Sequence, residues 1–127
     1  TNIDLQDRFF PSVDTPLNNK LIIFFTQKCC PSCILELKDY ADVMNKNHKV
    51  DIEICTTLNN KRSVEINDLL KVIFVNTDSL LNNIDYPVIF QTDEKGRMKN
   101  CLVIHTDYLF LGFDYITHYA NYHCSVD

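Results

Sequence analysis

The sequence contains only two glycines and no tryptophan among its 127 residues. Two glycines cannot build a G-x-G-x-x-G or Walker loop, so the common glycine-rich nucleotide-binding motifs are excluded. No apolar run approaches the ~20 residues of a membrane-spanning helix, and we expect no membrane span in this chain. The chain has no basic cluster with interleaved aromatics and a formal net charge of −5, so we expect no nucleic-acid partner.

Size and composition indicate one globular domain. The hydrophobic share is 46% and the charged share 23%, which are ordinary values for a domain with a single core. We therefore treat residues 1–127 as one domain, in which residues 1–19 form an N-terminal lead-in with at most a short strand or turn.

An apolar stretch followed by a helical pattern organises the chain. Leu21–Phe25 has no polar interruption, which predicts a strand buried on both faces of a sheet. Pro31 suits the first position of a helix, because its missing N–H would have no partner there. Helical spacing of apolar residues then continues to about residue 44, at Ile34, Leu37, Ala41 and Met44, with Glu36, Lys38, Asp39 and Asp42 elsewhere on the helix.

Two cysteines, Cys30 and Cys33, stand at this strand–helix junction in a Cys-x-x-Cys pair. The positive end of a helix dipole favours an anion, and such a setting can lower a thiol pKa from about 8.5 to roughly 3.5–7.5. Cys30 precedes the helix and is the better placed nucleophile, while Cys33 lies one turn on and can close a disulfide. Lys28 adds positive charge nearby. The spacing therefore predicts thiol–disulfide exchange.

Apolar periodicity and turn residues divide the rest of the chain into further elements. The strand that follows the first helix alternates apolar and polar residues, so we expect it to be half-buried and parallel to Leu21–Phe25. The predicted elements are a strand over residues 50–55, a loop over 56–61, a helix over 64–70, a strand over 72–75, helical turns over 79–84, strands over 87–91 and 98–105 joined by a turn at 93–96, and a helix over 108–122.

Two motifs carry a resemblance to the thioredoxin superfamily: Cys30-Pro31-Ser32-Cys33, and Tyr86-Pro87 before the apolar run 88–90. The stretch 87–96 is particularly similar to the extracytoplasmic thiol–disulfide oxidoreductases of the cytochrome-maturation type. The resemblance implies a thioredoxin-like α/β fold, with a central mixed β-sheet flanked by helices. It also implies a cis Pro87 that forms, with Tyr86, the wall that faces the dithiol and binds substrate.

The same resemblance implies function and location. The expected activity is disulfide exchange with a protein thiol or disulfide substrate, supported by a redox partner protein, without metal or organic cofactor. The expected location is the periplasm or another extracytoplasmic compartment. Six cysteines are many for a domain of this size, and their number weakly favours an oxidising compartment.

The cysteine next to the pair leaves alternatives open. Cys29 stands where the family usually has tryptophan. With Cys33 it forms the Cys-x-x-x-Cys spacing of copper chaperones on this fold, for which His105 is the candidate third ligand. Thr26 and Cys29 match part of a peroxiredoxin motif, although Ile22 stands where its proline belongs. A binding domain with an idle dithiol is the non-enzymatic alternative, and a structural zinc site lacks a second ligand pair.

Other candidate residues receive structural interpretations. Many members of the family have a buried acid beneath the dithiol, but Glu36 is predicted to face outward. Cys55 and Cys101 fall in predicted strands and are expected to be small core residues. Cys124 lies in the tail and is either free or paired. The side chain of Cys29 is expected to point into a neighbouring loop.

Overall fold

The computed structural model describes residues 3–4, 18–26, 28–57, 71–75 and 85–123. In these residues the strands form one sheet and the helices pack against it, so the chain is an α/β protein. In chain order the elements are β1 (Ile3–Asp4), β2 (Leu21–Phe25), α1 (Pro31–His48), β3 (Ile52–Thr57), β4 (Lys71–Val75), β5 (Val88–Thr92), β6 (Arg97–Val103), a 3₁₀ helix (Thr106–Tyr108) and α2 (Leu109–His123).

The sheet is mixed, with the strand order β1-β6-β5-β2-β3-β4. Strand β2 lies near its centre, parallel to β3 and antiparallel to β5. The β2–α1–β3 segment is therefore the predicted crossover between parallel neighbours. Strand β5 is paired on both sides, because β6 lies antiparallel along its other edge. The apolar run of β2 is fully enclosed, as its five residues predict.

Both α-helices cover one face of this sheet. Their packing pairs Tyr40 with Phe113, whose ring centroids are 4.9 Å apart, and Leu37 with Gly112. A methyl group at Gly112 would approach Leu37 Cδ2 to 2.8 Å, so the helices touch closely at this glycine. The paired positions advance together along both helices. The helices therefore run parallel, and both follow strands, β2 and β6, that end at the same end of the sheet.

The core lies between the two helices and the sheet. Its members include every predicted apolar position of α1. For the last helix the sequence spacing predicts Phe113, Ile116, Tyr119 and Ala120 on the core side; the last three are buried and Phe113 is partly buried against the core, so the helical spacing in both segments is confirmed. The buried core residues are Leu21, Ile23, Phe25, Cys29, Ile34, Leu37, Ala41, Met44, Val50, Ile52, Ile54, Ile89, Ile104, Ile116, Tyr119 and Ala120.

The prediction that β3 is half-buried is wrong. Glu53 and Cys55 point to the face opposite the helices, yet both are buried. The Glu53 carboxylate is accompanied by the Lys20 ammonium, with Nζ 3.1 Å from Oε1. Alternation of apolar and charged residues misled the prediction, because an ion pair allows a charged position to be buried. The strand also extends to Thr57, so Thr56 belongs to β3 rather than to the predicted loop.

Helix α1 carries a second buried ion pair where the sequence pattern indicated a polar face. Lys38 is 0% and Asp42 2% exposed, and Lys38 Nζ lies 2.9 Å from Asp42 Oδ2. The two residues are four positions apart, which brings their side chains together on a helix. Glu36 is exposed, as predicted.

Strand β6 is irregular along its length. Its register against β5 shifts between Ile89 and Gln91. Asn100 has a left-handed backbone with φ 54°, a conformation that asparagine tolerates better than most residues. The Tyr115 hydroxyl on α2 donates a 2.6 Å hydrogen bond to the Asn100 carbonyl. Strand β1 covers only the start of β6, at Arg97 and Met98.

The remaining sequence predictions have mixed outcomes. Cys55 is buried, as predicted, but Cys101 is exposed and is not a core residue. The predicted strand over residues 98–105 ends at Val103, and a 3₁₀ helix precedes α2. The predicted helical segments 64–70 and 79–84 and Cys124 lie outside the described residues. Within the described ranges, neither helix is both long and apolar enough to cross a membrane.

Candidate active site at the start of the first helix

The two cysteines of the motif lie at the N-terminus of α1, at the end of the sheet. Cys30 is the N-cap residue and Pro31 the first helical residue, as predicted. The Cys30 carbonyl accepts the first helical hydrogen bond, from Ile34 N at 3.0 Å. The first turn contains no acidic residue, so no carboxylate competes for the positive end of the helix dipole.

The Cys30 thiol is partly exposed and held in a state that favours the thiolate. Its Sγ lies 3.0 Å from the Ser32 hydroxyl oxygen. The hydrogen bond from Ser32, followed by the hydrogen bond from the Cys33 thiol, lowers the pKa of Cys30 from 9.0 to about 7. Near neutral pH about half of the Cys30 side chains are therefore thiolates, the reactive form.

The Cys33 thiol has the opposite character. It is buried, and burial raises its pKa, with further contributions from its hydrogen bond to Cys30 and from the negative charge of the Cys30 thiolate. The Thr106 hydroxyl, at the start of the 3₁₀ helix, also hydrogen-bonds to Cys33 and acts in the opposite direction on this pKa. The pair thus combines one accessible thiolate with one enclosed, protonated thiol.

The Cys29 thiol lies inside the protein, beside its own turn. It is 3% exposed, and its Sγ accepts a hydrogen bond from the backbone N–H of Thr26 at 3.4 Å. The Thr26 hydroxyl is 3.8 Å from the same sulfur. Burial raises the pKa of Cys29. The expectation that the Cys29 side chain points into a neighbouring loop is therefore wrong, because its sulfur hydrogen-bonds to Thr26 within the same turn, between β2 and α1.

The loop before β5 lies against the same end of the sheet. Val88 pairs with Phe24 near the end of β2, and the Pro87 carbonyl accepts a 2.8 Å hydrogen bond from Ile104 N. The Tyr86–Pro87 peptide bond is trans, so the expected cis proline is wrong for this structure. The ring of Tyr86, which is half-buried, lies 4.5 Å from the ring of His105.

Two residues of this site were missed by the sequence analysis. Ser32 was read only as part of the spacer, although a hydroxyl two positions after a cysteine at an N-cap can reach its sulfur. Thr106 carried no sequence signal, since only the fold brings it to Cys33. Lys28 is exposed in the turn, and its backbone N–H donates to the Thr26 hydroxyl at 3.2 Å.

The described residues contain no cluster of three or more histidine, cysteine, aspartate or glutamate side chains that could hold a metal ion. Cys29, Cys33 and His105 are all among these residues, so the copper-site hypothesis gains no support from their placement.

The site thus consists of a partly exposed cysteine of lowered pKa at a helix N-terminus, a buried cysteine one turn later and a proline loop at the same end of the sheet. Comparisons of this chain with models of protein families, with curated proteins and with solved structures give no match.

Proposed function

We propose that this chain is a thiol–disulfide oxidoreductase with a thioredoxin-like fold, which exchanges disulfides with a protein substrate through Cys30 and Cys33. The observation that carries the proposal is the contrast between the two thiols. The pKa of Cys30 is lowered to about 7 at a helix N-cap, whereas burial raises the pKa of Cys33 one turn away. Disulfide exchange needs an attacking thiolate and a second thiol that resolves the intermediate.

In the proposed reaction, the Cys30 thiolate attacks one sulfur of a substrate disulfide. The substrate S–S bond breaks, a Cys30–substrate disulfide forms, and the released substrate thiolate takes a proton from solvent. Cys33 then gives its proton to solvent and attacks Cys30 Sγ. The Cys30–substrate S–S bond breaks, and the second substrate thiolate leaves and takes up a proton. The substrate gains two electrons and the protein keeps a Cys30–Cys33 disulfide, which a redox partner protein returns to the dithiol.

The order of the two steps follows from the electrostatics of the pair. While Cys30 is a thiolate, its charge and its hydrogen bond raise the pKa of Cys33 and keep that thiol protonated. Once Cys30 is bound in a mixed disulfide, its negative charge is gone, and both contributions disappear. Cys33 therefore becomes easier to deprotonate when its attack is needed.

The thioredoxin-like assignment is supported by the order of elements around the site. A buried strand, the cysteine pair, a helix and a parallel strand are followed by an antiparallel pair and a last helix on the same face as α1. Tyr86 and Pro87 are proposed as the wall for substrate because they precede β5 beside the end of β2. The trans peptide bond at Pro87 departs from the family pattern.

The proposal includes an extracytoplasmic location, where protein partners with disulfides are common. The exposed Lys28 is proposed to contact substrate near Cys30. No metal or organic cofactor enters the proposed reaction, because both electrons come from the two thiols.

The test is a trapping experiment with Cys33→Ser. The variant keeps the Cys30 nucleophile but lacks the thiol that resolves the mixed disulfide. Reduced Cys33→Ser is mixed with a disulfide-containing protein such as insulin, and covalent adducts are separated on non-reducing gels and assigned by mass spectrometry. We expect an adduct at Cys30 that dithiothreitol releases, whereas the unsubstituted protein reduces insulin without accumulating one.

The matched control is Cys33→Ser combined with Cys30→Ser, which retains the exposed Cys101. An adduct that persists in this control would come from one of the four remaining cysteines, such as Cys101 or Cys124, and not from the proposed nucleophile. Absence of any Cys30 adduct, together with no reduction of insulin by the unsubstituted protein, would favour the alternative of a binding domain with an idle dithiol.

A further inference from the structure

Four aromatic rings form a connected surface beside the dithiol, which we name the aromatic ledge: Tyr86, His105, Tyr108 and Phe110. Successive ring centroids are 4.5 Å, 6.1 Å and 6.2 Å apart. Tyr108 is 54% and Phe110 55% exposed. Rings this close normally stabilise a core, but two of these face solvent. The ledge therefore presents apolar area that the described residues leave uncovered.

The ledge is continuous with the reactive cysteines. Tyr86 precedes Pro87, whose carbonyl is tied to Ile104 at the end of β6. His105 accepts a hydrogen bond from Asp107 N through its Nδ1 at 3.2 Å and so caps the 3₁₀ helix that carries Thr106. Thr106 in turn hydrogen-bonds to Cys33. A chain whose sulfur reaches Cys30 can thus extend over the ledge without leaving the surface.

Exposed apolar side chains concentrate in this part of the described chain. Among the described residues, the exposed large hydrophobic side chains are Val43, Val103, Tyr108, Phe110, Leu111 and Tyr122. Four of these six fall within nine consecutive positions, 103–111, which contain three of the four ledge residues. Contiguous exposed apolar surface is typical of an interaction site, whereas single exposed apolar residues are ordinary.

Three exposed acidic side chains lie next to ledge residues or near the cysteines. Asp107 and Asp85 are exposed next to ledge residues in the sequence, and Glu36 is exposed on the second turn of α1. Asp85 and Glu36 are close enough to the cysteines to raise the pKa of Cys29 and of Cys33, respectively. A partner segment that lies here meets negative charge at the border, so acidic partners are repelled and basic ones attracted.

We propose that the aromatic ledge binds the partner polypeptide directly beside its disulfide, and that it selects an aromatic or long aliphatic side chain near the partner's cysteine and disfavours an acidic one. This inference rests on the proposed function and names its substrate class. The ledge supplies apolar contact at the moment of attack, while the acidic border discriminates by charge. The bound segment belongs to another protein and lies over Tyr108 and Phe110.

The test compares three disulfide-linked peptide dimers that are identical except for the residue two positions after the cysteine, which is phenylalanine, serine or aspartate. Their rates of reduction by the fully reduced protein are measured by stopped flow. We expect the phenylalanine peptide to react about two- to tenfold faster than the serine peptide, and the aspartate peptide to react slowest. The Tyr108→Ala/Phe110→Ala variant should lose the preference for phenylalanine.

Two controls separate the ledge from the chemistry. Tyr122→Ala removes an aromatic ring that is 85% exposed on α2, the helix that carries Phe110, but lies outside the ledge. This variant should keep the preference for the phenylalanine peptide. The small compound 2-hydroxyethyl disulfide should react equally with all variants, because it is too small to need the ledge.

Equal rates for the three peptides in the unsubstituted protein, or a preference retained in the Tyr108→Ala/Phe110→Ala variant, would overturn the ledge inference alone. If the unsubstituted protein fails to reduce even 2-hydroxyethyl disulfide, the proposed function falls and the ledge inference falls with it.

Discussion

Replacing Ser32 by alanine tests the electrostatic reasoning behind the candidate nucleophile. The Ser32 hydroxyl lies 3.0 Å from Cys30 Sγ and is the largest of the influences that lower the pKa of Cys30 from 9.0 to about 7. Alanine removes this hydroxyl and leaves the helix N-terminus and the Cys33 hydrogen bond in place. We therefore expect the pKa of Cys30 in Ser32→Ala to rise toward the ordinary thiol value.

The size of the effect follows from the thiolate fraction. With a pKa of about 7, half of the Cys30 side chains are thiolates at pH 7. If the pKa of Cys30 rises by about one unit, the thiolate fraction at pH 7 falls to roughly one in eleven, which is about a fivefold loss of thiolate. The alkylation rate should fall by less, because a thiolate of higher pKa is the stronger nucleophile. Above about pH 9 the Cys30 thiol is almost fully ionised in both proteins, so the difference in thiolate fraction should disappear there.

The assay is the rate of iodoacetamide alkylation at Cys30 from pH 5 to 10, followed by peptide mass spectrometry so that each cysteine is scored separately. The matched control is Ser32→Thr, which keeps a hydroxyl at the same position and should retain a low midpoint. If Ser32→Ala and the unsubstituted protein give the same pH profile with a midpoint near 7, the hydrogen bond from Ser32 is not what activates Cys30.

Two further substitutions test the buried polar contacts. Cys29→Ala should lower the free energy of unfolding by about 1–3 kcal/mol more than Cys29→Ser, because only serine keeps a side-chain acceptor for the buried N–H of Thr26. Urea denaturation measures the difference. Equal losses in the two variants would contradict the role of the Cys29 sulfur as a hydrogen-bond acceptor. Lys38→Met should lower the free energy of unfolding by about 3–5 kcal/mol, because it leaves the buried Asp42 carboxylate without its cation. Lys38→Met/Asp42→Leu should recover most of that loss. A double variant as unstable as the single one would refute this reasoning.

The sequence predicts the centre of the fold well because local and global signals agree there. The unbroken apolar run of β2, the proline at the start of α1 and the helical spacing up to Met44 each point to the same elements. The parallel pairing of β3 with β2 then follows from the strand–helix–strand order. The antiparallel pair β5–β6 was also predictable, since a short turn with Gly96 joins two apolar segments.

Burial of charge was not predictable in the same way. Lys38, Asp42 and Glu53 are polar by type, and a one-dimensional pattern assigns them to solvent. Their burial depends on oppositely charged partners. Lys38 and Asp42 pair with each other on α1, and Glu53 pairs with Lys20, which precedes β2. Only the assembled structure shows that these charges are compensated.

At the candidate site, the sequence predicted the candidate nucleophile and its location but not its contacts. Cys30 and Cys33 could be assigned roles from their order at the helix N-terminus. Thr106 is 73 positions after Cys33 and meets it only through the arrangement of β6 and the 3₁₀ helix. The cis form of Pro87 was expected from resemblance rather than from any residue in the chain, and it is not found.

The irregular strand β6 has a consequence for self-association. Among the described residues, β1 pairs with β6 only at Arg97 and Met98, so the rest of that outer edge has no neighbouring strand. A straight, open edge would offer a template on which a second molecule could add its own strand. The left-handed backbone at Asn100 bends the edge, and the Tyr115 hydroxyl already occupies its carbonyl. Together these features interrupt the template along the β6 edge and disfavour strand addition there.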